Sequence, residues 1–119
     1  MIKLTIWNRE FELETVFDCY PDEEILQSQR DALSNLLSNK QVIEDSEKQV
    51  KEYCLKSNKQ EIGNEIPNIF KYVMPENIFI KRDGRVAIMC RYKFDIEHGI
   101  AVVFRNTCFD TVGSQDIIL

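Results

Sequence analysis

The chain has 119 residues, 44% of them hydrophobic and 29% charged, with a net charge of −5. That is the size and make-up of one globular domain spanning residues 1–119, able to bury about two thirds of its unfolded surface without a metal or disulfide framework. No apolar run approaches the roughly 20 residues of a membrane span and the N-terminus lacks a signal-peptide core, so no membrane association is expected and the expected location is cytoplasmic.

Ile2, Leu4 and Ile6 alternate with Lys3, Thr5 and Trp7, which predicts a first strand. Asn8-Arg9 reads as a two-residue turn. Phe11, Leu13, Thr15 and Phe17 then alternate with Glu10, Glu12, Glu14 and Val16, a second strand that completes a hairpin. Pro21-Asp22-Glu23-Glu24 reads as a helix start, with acids where the helix dipole favours them. Ile25, Leu26, Gln29, Ala32, Leu33, Leu36 and Leu37 follow at helical spacing as a buried stripe. A second helix is predicted from Gln41, with a separate start available at Asp45-Ser46-Glu47. Glu44-Lys48, Glu47-Lys51 and Glu52-Lys56 are acid-before-base pairs on its exposed face.

Ser57 to Glu65 is polar and reads as a loop. Pro67 suits a first helical turn, which predicts a short helix ending before Pro75. Asn77 to Lys81 is a third strand, and Asp83-Gly84 is a hairpin turn. Val86, Ile88, Cys90, Tyr92 and Phe94 alternate with Ala87, Met89, Arg91 and Lys93, and Ile100, Val102 and Phe104 alternate with Ala101, Val103 and Arg105. These two runs form a hairpin about the polar turn Asp95-Ile96-Glu97-His98-Gly99. Asn106-Thr107 turns the chain into a last strand, Cys108 to Val112, which Gly113 ends. Ile117-Ile118-Leu119 is an apolar end expected to dock. Strands grouped apart from helices argue for an α+β fold. The expectation is a mainly antiparallel sheet, built from an N-terminal hairpin and a C-terminal four-strand meander. Two or three helices lie between them and pack on one face.

The charge is unevenly spread. Residues 1–30 set three basic residues against seven acidic ones, a net of −4. Residues 71–105 set seven basic against four acidic, a net of +3. The acidic segment would attract a basic protein, and the basic one is too interleaved with acids to argue for nucleic acid. Glu10, Glu12, Glu14, Asp22, Glu23 and Glu24 are therefore the candidate partner-binding residues, with Trp7 as a candidate interface anchor.

His98, the only histidine, sits with Asp95, Glu97 and Gly99 in one turn. A carboxylate beside an imidazole can make a general base or part of a metal site. No second histidine and no serine–histidine pattern completes either set, and neighbouring residues on a strand point to opposite faces. The turn is read as structural, with Asp95 bonding turn amides and Gly99 supplying a positive φ. The cysteines, Cys19, Cys54, Cys90 and Cys108, form no C-x-x-C pair and compose no zinc set with one histidine. They read as small buried hydrophobes. The four glycines are far apart, so there is no phosphate loop. Neither a catalytic set nor a metal or cofactor is expected.

The run Arg85 to Phe104, with its D-x-E-H-G turn, followed by Gly113, Gln115 and Asp116, resembles the signature of a family of small uncharacterised bacterial proteins. Trp7, Asn8 and Phe11 at the N-terminus and a glutamine in the first helix, Gln29, are similar too. The family carries no assigned activity. Its resemblance to polymorphic-toxin immunity proteins implies a non-enzymatic protein that neutralises a cognate toxin, often a basic nuclease, through acidic surface. The alternatives are a small enzyme or metal site centred on Asp95, Glu97 and His98, or a structural domain that dimerises by a strand edge.

Overall fold

In the computed structural model, which describes residues 1–119, the period-two runs become strands of one sheet. The N-terminal hairpin is β1 (Ile2–Ile6) and β2 (Arg9–Phe17). The meander is β3 (Val73–Ile80), β4 (Val86–Tyr92), β5 (Ile100–Arg105) and β6 (Cys108–Gly113). The six strands lie in chain order, and every neighbouring pair is antiparallel except β2 and β3. Those two run parallel, pairing Glu14 with Asn77 through Phe17 with Ile80. Parallel neighbours need a long crossover rather than a tight turn. Here it is the helical segment, α1 (Gln27–Leu37), α2 (Lys40–Asp45), α3 (Glu47–Ser57) and the single turn α4 (Lys59–Ile62). The fold is α+β, with a mixed, mostly antiparallel sheet. No helix is long and apolar enough to cross a membrane.

Strand alternation sorts side chains onto two faces. Leu4, Leu13, Ile78, Ile88, Val102 and Phe104 on one face pack with Leu36, Ile43, Val50 and Cys54 of the helices. Each such burial contributes roughly 1.5–3 kcal/mol for a large aliphatic or aromatic side chain. On the other face Ala87, Met89, Ala101 and Val103 are covered by Ile118; of the apolar end only this residue docks, while Ile117 and Leu119 stay exposed.

The first turn is Trp7-Asn8 rather than Asn8-Arg9. Both residues have positive φ, 51° and 66°, and Ile6 pairs with Arg9 across the turn. Such a conformation is unusual for a bulky residue. Trp7 is held in it by burial and by its indole N–H, which donates to Ser46 Oγ at 3.1 Å. Ser46 also separates α2 from α3, and its hydroxyl donates to the Ile43 carbonyl at 2.6 Å. Of the three acid–base pairs expected there, Glu47–Lys51 closes, at 2.9 Å.

α1 begins at Gln27 instead of Pro21. Gln29 explains the delay. It is fully buried, its Oε1 accepts the Leu26 N–H at 2.9 Å, and its Nε2 donates to the carbonyls of Asp18 at 3.0 Å and Ile80 at 3.1 Å. One carboxamide thus ties the helix start to the ends of β2 and β3. Asp22, Glu23 and Glu24 therefore lie in the preceding loop and not in the first turn of α1.

The helix predicted from Pro67 is only a 3-10 turn, Ile69–Lys71, and β3 passes through Pro75. A proline cannot donate to the ladder, and the strand accommodates it at a bulge, where Pro75 pairs with Cys90 and Asn77 with Met89. The last strand runs one residue further than Val112, to Gly113, which pairs with Ala101. Cys54 and Cys90 are buried as expected, whereas Cys19 and Cys108 are exposed.

Candidate functional site

The turn between β4 and β5 is built by its own backbone and by Asp95. The Gly99 N–H donates to the Asp95 carbonyl at 2.8 Å, and the His98 N–H donates to Asp95 Oδ1 at 3.2 Å. The imidazole Nδ1 lies 3.0 Å from that same oxygen. The carboxylate that meets the ring is Asp95, not the adjacent Glu97, which is exposed and makes no ion pair with it. The hydrogen bond and charge of Asp95 raise the His98 pKa above its ordinary value of 6.5. The pair is half in solvent, at 47% and 42% side-chain exposure, and Asp95, Glu97 and His98 line none of the clefts of the molecule.

Gly99 has φ of 61°, and a Cβ there would lie 2.5 Å from the Cys90 carbonyl and 2.7 Å from Gln115 Nε2. Gln115 crosses this glycine to donate to the Cys90 carbonyl at 3.1 Å, while its own N–H donates to the His98 carbonyl at 3.2 Å. The two parts of the sequence signature, the D-x-E-H-G turn and the later glutamine, are one hydrogen-bonded unit.

The other candidate residues follow the outward face of β2. Glu10, Glu12 and Glu14 are all exposed, and none takes part in an ion pair. They lie on the sheet face away from the helices, since Leu13 between them is buried in the helix-side core. Lys3 is the register partner of Glu12, Thr5 of Glu10 and Asn77 of Glu14, so one cation stands opposite three carboxylates. Alternate residues on a strand are about 7 Å apart, where two exposed like charges repel by less than about 1 kcal/mol.

Asp22, Glu23 and Glu24 do not extend this row. They occupy the loop beyond the far end of β2, where Glu23 pairs with Arg82 at 3.4 Å and the Glu24 carbonyl accepts from the same guanidinium. Trp7 is 3% exposed and belongs to the core, so it is not an anchor on this surface. Its ring packs against Phe70 at 5.8 Å. A tryptophan at a strand end gives no signal in the sequence for which side it faces. Only the turn geometry decides it.

A cleft of about 560 Å³ between α1 and the turns after β3 and β5 was not visible in the sequence. Its walls include Ser28, Asp31 and Asn35 from α1 and Asp83, Asn106 and Thr107 from the turns. Burial pushes the Asp83 carboxyl up, but the amide, the guanidinium and the charge of Arg85 together hold it below its ordinary value. Asp31 accepts from Gln27 at 3.0 Å. The cleft offers hydrogen-bonding groups but no imidazole, thiol or amine. The buried thiols are far from reactive, with Cys54 pushed up to about 11 and Cys90 higher still, both by burial. No three side chains of the His, Cys, Asp and Glu types converge as a metal site would need.

The hairpin, the helical crossover and the meander define an α+β domain whose specific mark is the glutamine-locked turn. The chain belongs to the family described as "Domain of unknown function (DUF6985)", which matches residues 1–119. No curated protein and no solved structure matches it.

Proposed function

We propose that this protein binds a basic protein partner through the outward face of β2, and that it acts as an immunity protein neutralising a cognate toxin domain. The observation that carries the reading is the row Glu10, Glu12 and Glu14, three exposed carboxylates with no ion pair. A preformed row of like charges on a rigid strand speeds encounter with a cationic surface and disfavours acidic competitors. Charged side chains on such a face add little to the fold, so binding is what they are suited to do.

The test is binding of the purified chain to a basic toxin domain encoded beside it. Glu10→Lys, Glu12→Lys and Glu14→Lys together should weaken the complex by about a hundredfold, mostly through slower association at low salt. A complex of unchanged affinity and salt dependence would refute this surface. Asp22→Lys with Glu24→Lys, in the separate loop, should have a much smaller effect.

A further inference from the structure

The end of the sheet where β3 starts and β4 finishes carries a second feature, of opposite character. Tyr72 and Phe94 stack at 5.5 Å between centroids, with 29° between planes. The Lys93 ammonium lies 5.9 Å from the Tyr72 centroid and 5.8 Å from that of Phe94, and Lys71 lies 5.7 Å from Tyr72. Met74 pairs with Arg91 in the β3–β4 register, and the Lys93 N–H donates to the Tyr72 carbonyl at 2.8 Å. These residues enclose a shallow groove of about 280 Å³, with Phe70, Tyr72, Met74 and Ile96 as floor and Lys71, Arg91 and Lys93 around it. Met74 is 38% and Ile96 75% exposed, so the floor is open. Arg91 is tied to Glu76 at 3.1 Å, while Lys71 and Lys93 have no acidic partner.

We infer that this groove binds an extended acidic segment of a protein partner, one in which an aliphatic side chain sits between carboxylates. Two unpaired ammonium groups held over aromatic faces are prepaid positions for carboxylates, and an open apolar floor takes an aliphatic residue. A nucleic acid suits the site poorly. The ring faces of Tyr72 and Phe94 are occupied by each other and by lysines, leaving no free platform for a base. Three cations beside Glu76 also make a short track for a phosphate backbone. The inference goes beyond the reading of β2 and does not rest on it.

Fluorescence anisotropy with a labelled short peptide of alternating aspartate and leucine tests it, against the same peptide with asparagine for aspartate and a short oligothymidine. The acidic peptide should bind saturably and weaken with salt, and the asparagine peptide should not bind. Lys71→Glu with Lys93→Glu should lower the affinity by at least about tenfold at unchanged melting temperature. The Glu10, Glu12 and Glu14 substitutions should leave it unchanged, which separates this site from the one proposed on β2. No saturable binding, binding indifferent to the lysine changes, or tighter binding of the oligonucleotide would each overturn the inference. So would self-association in sedimentation that the lysine changes abolish, since a second copy would then be the occupant.

Discussion

The turn at residues 95–99 and the outward face of β2 both display charge to solvent, yet they spend it differently. In the turn, the one imidazole faces a carboxylate, that carboxylate caps an amide, and a glutamine locks the glycine behind them. On β2, three carboxylates stand in a row with nothing bonded to them. The difference teaches that a residue type known for chemistry is a poorer guide to function than the state of its partners. Charge that is already satisfied holds the fold together, and charge left unsatisfied is available to another molecule.

The comparison breaks if the turn proves dispensable. Gly99→Ala should therefore have the largest effect, because it combines a positive φ with a clash against backbone and against Gln115. We expect a loss of about 2–4 kcal/mol in chemical denaturation. Gly84→Ala is the control. It has positive φ but open space around it, and should cost only about 1 kcal/mol. Gln115→Ala removes the amide that bonds the Cys90 carbonyl, and thermal melting should report a loss of about 1–2 kcal/mol.

A smaller effect tests the imidazole. The folded-state pKa of His98 is raised, so the stability it adds is fully present below its unfolded value and is lost as pH rises through the folded one. Proton NMR should place the His98 titration above 6.5 in the wild type and bring it down in Asp95→Asn. The stability gap between the two proteins should narrow as the solution is made alkaline. The smallest effect sharpens the contrast from the other side. Replacing Glu10, Glu12 and Glu14 by glutamine should change the melting free energy by less than about 0.5 kcal/mol, since exposed unpaired charges contribute little to the fold.

Much of the architecture was legible because a strand with one buried face announces itself by a period of two. β1, β2, the second half of β3, β4 to β6, the turns at Asp83-Gly84 and Asn106-Thr107 and the docking of Ile118 follow from local pattern. What failed was set by distant partners. The start of α1 is fixed by Gln29 reaching the carbonyl of Ile80, 51 positions away, and no local rule anticipates it. Trp7 reads as an anchor because it stands beside the acidic strip, whereas the turn swings it inward onto Ser46. Pro75 looked like a stop, and a bulge admits it. The structural role of the turn was legible from Asp95 and Gly99. Its lock was not, since the spacing from Gly99 to Gln115 has no meaning until β6 returns the chain to that corner. The groove around Tyr72 was equally hidden, because its cations come from two distant stretches, Lys71 before β3 and Arg91 and Lys93 at the end of β4.

The parallel seam between β2 and β3 has a kinetic consequence. The hairpin and the meander each close through neighbours in the chain, but the seam joins segments more than sixty residues apart, with the helices between them. Loop closure of that length comes late, so both seam edges stay bare while the two halves wait for each other. Exposed charges on such an edge are expected to keep an early hairpin from pairing with a stranger. Pulse-labelled hydrogen exchange should find the amides of residues 14–17 and 77–80 protected after those of the meander, and the glutamate-free hairpin should aggregate more readily on refolding.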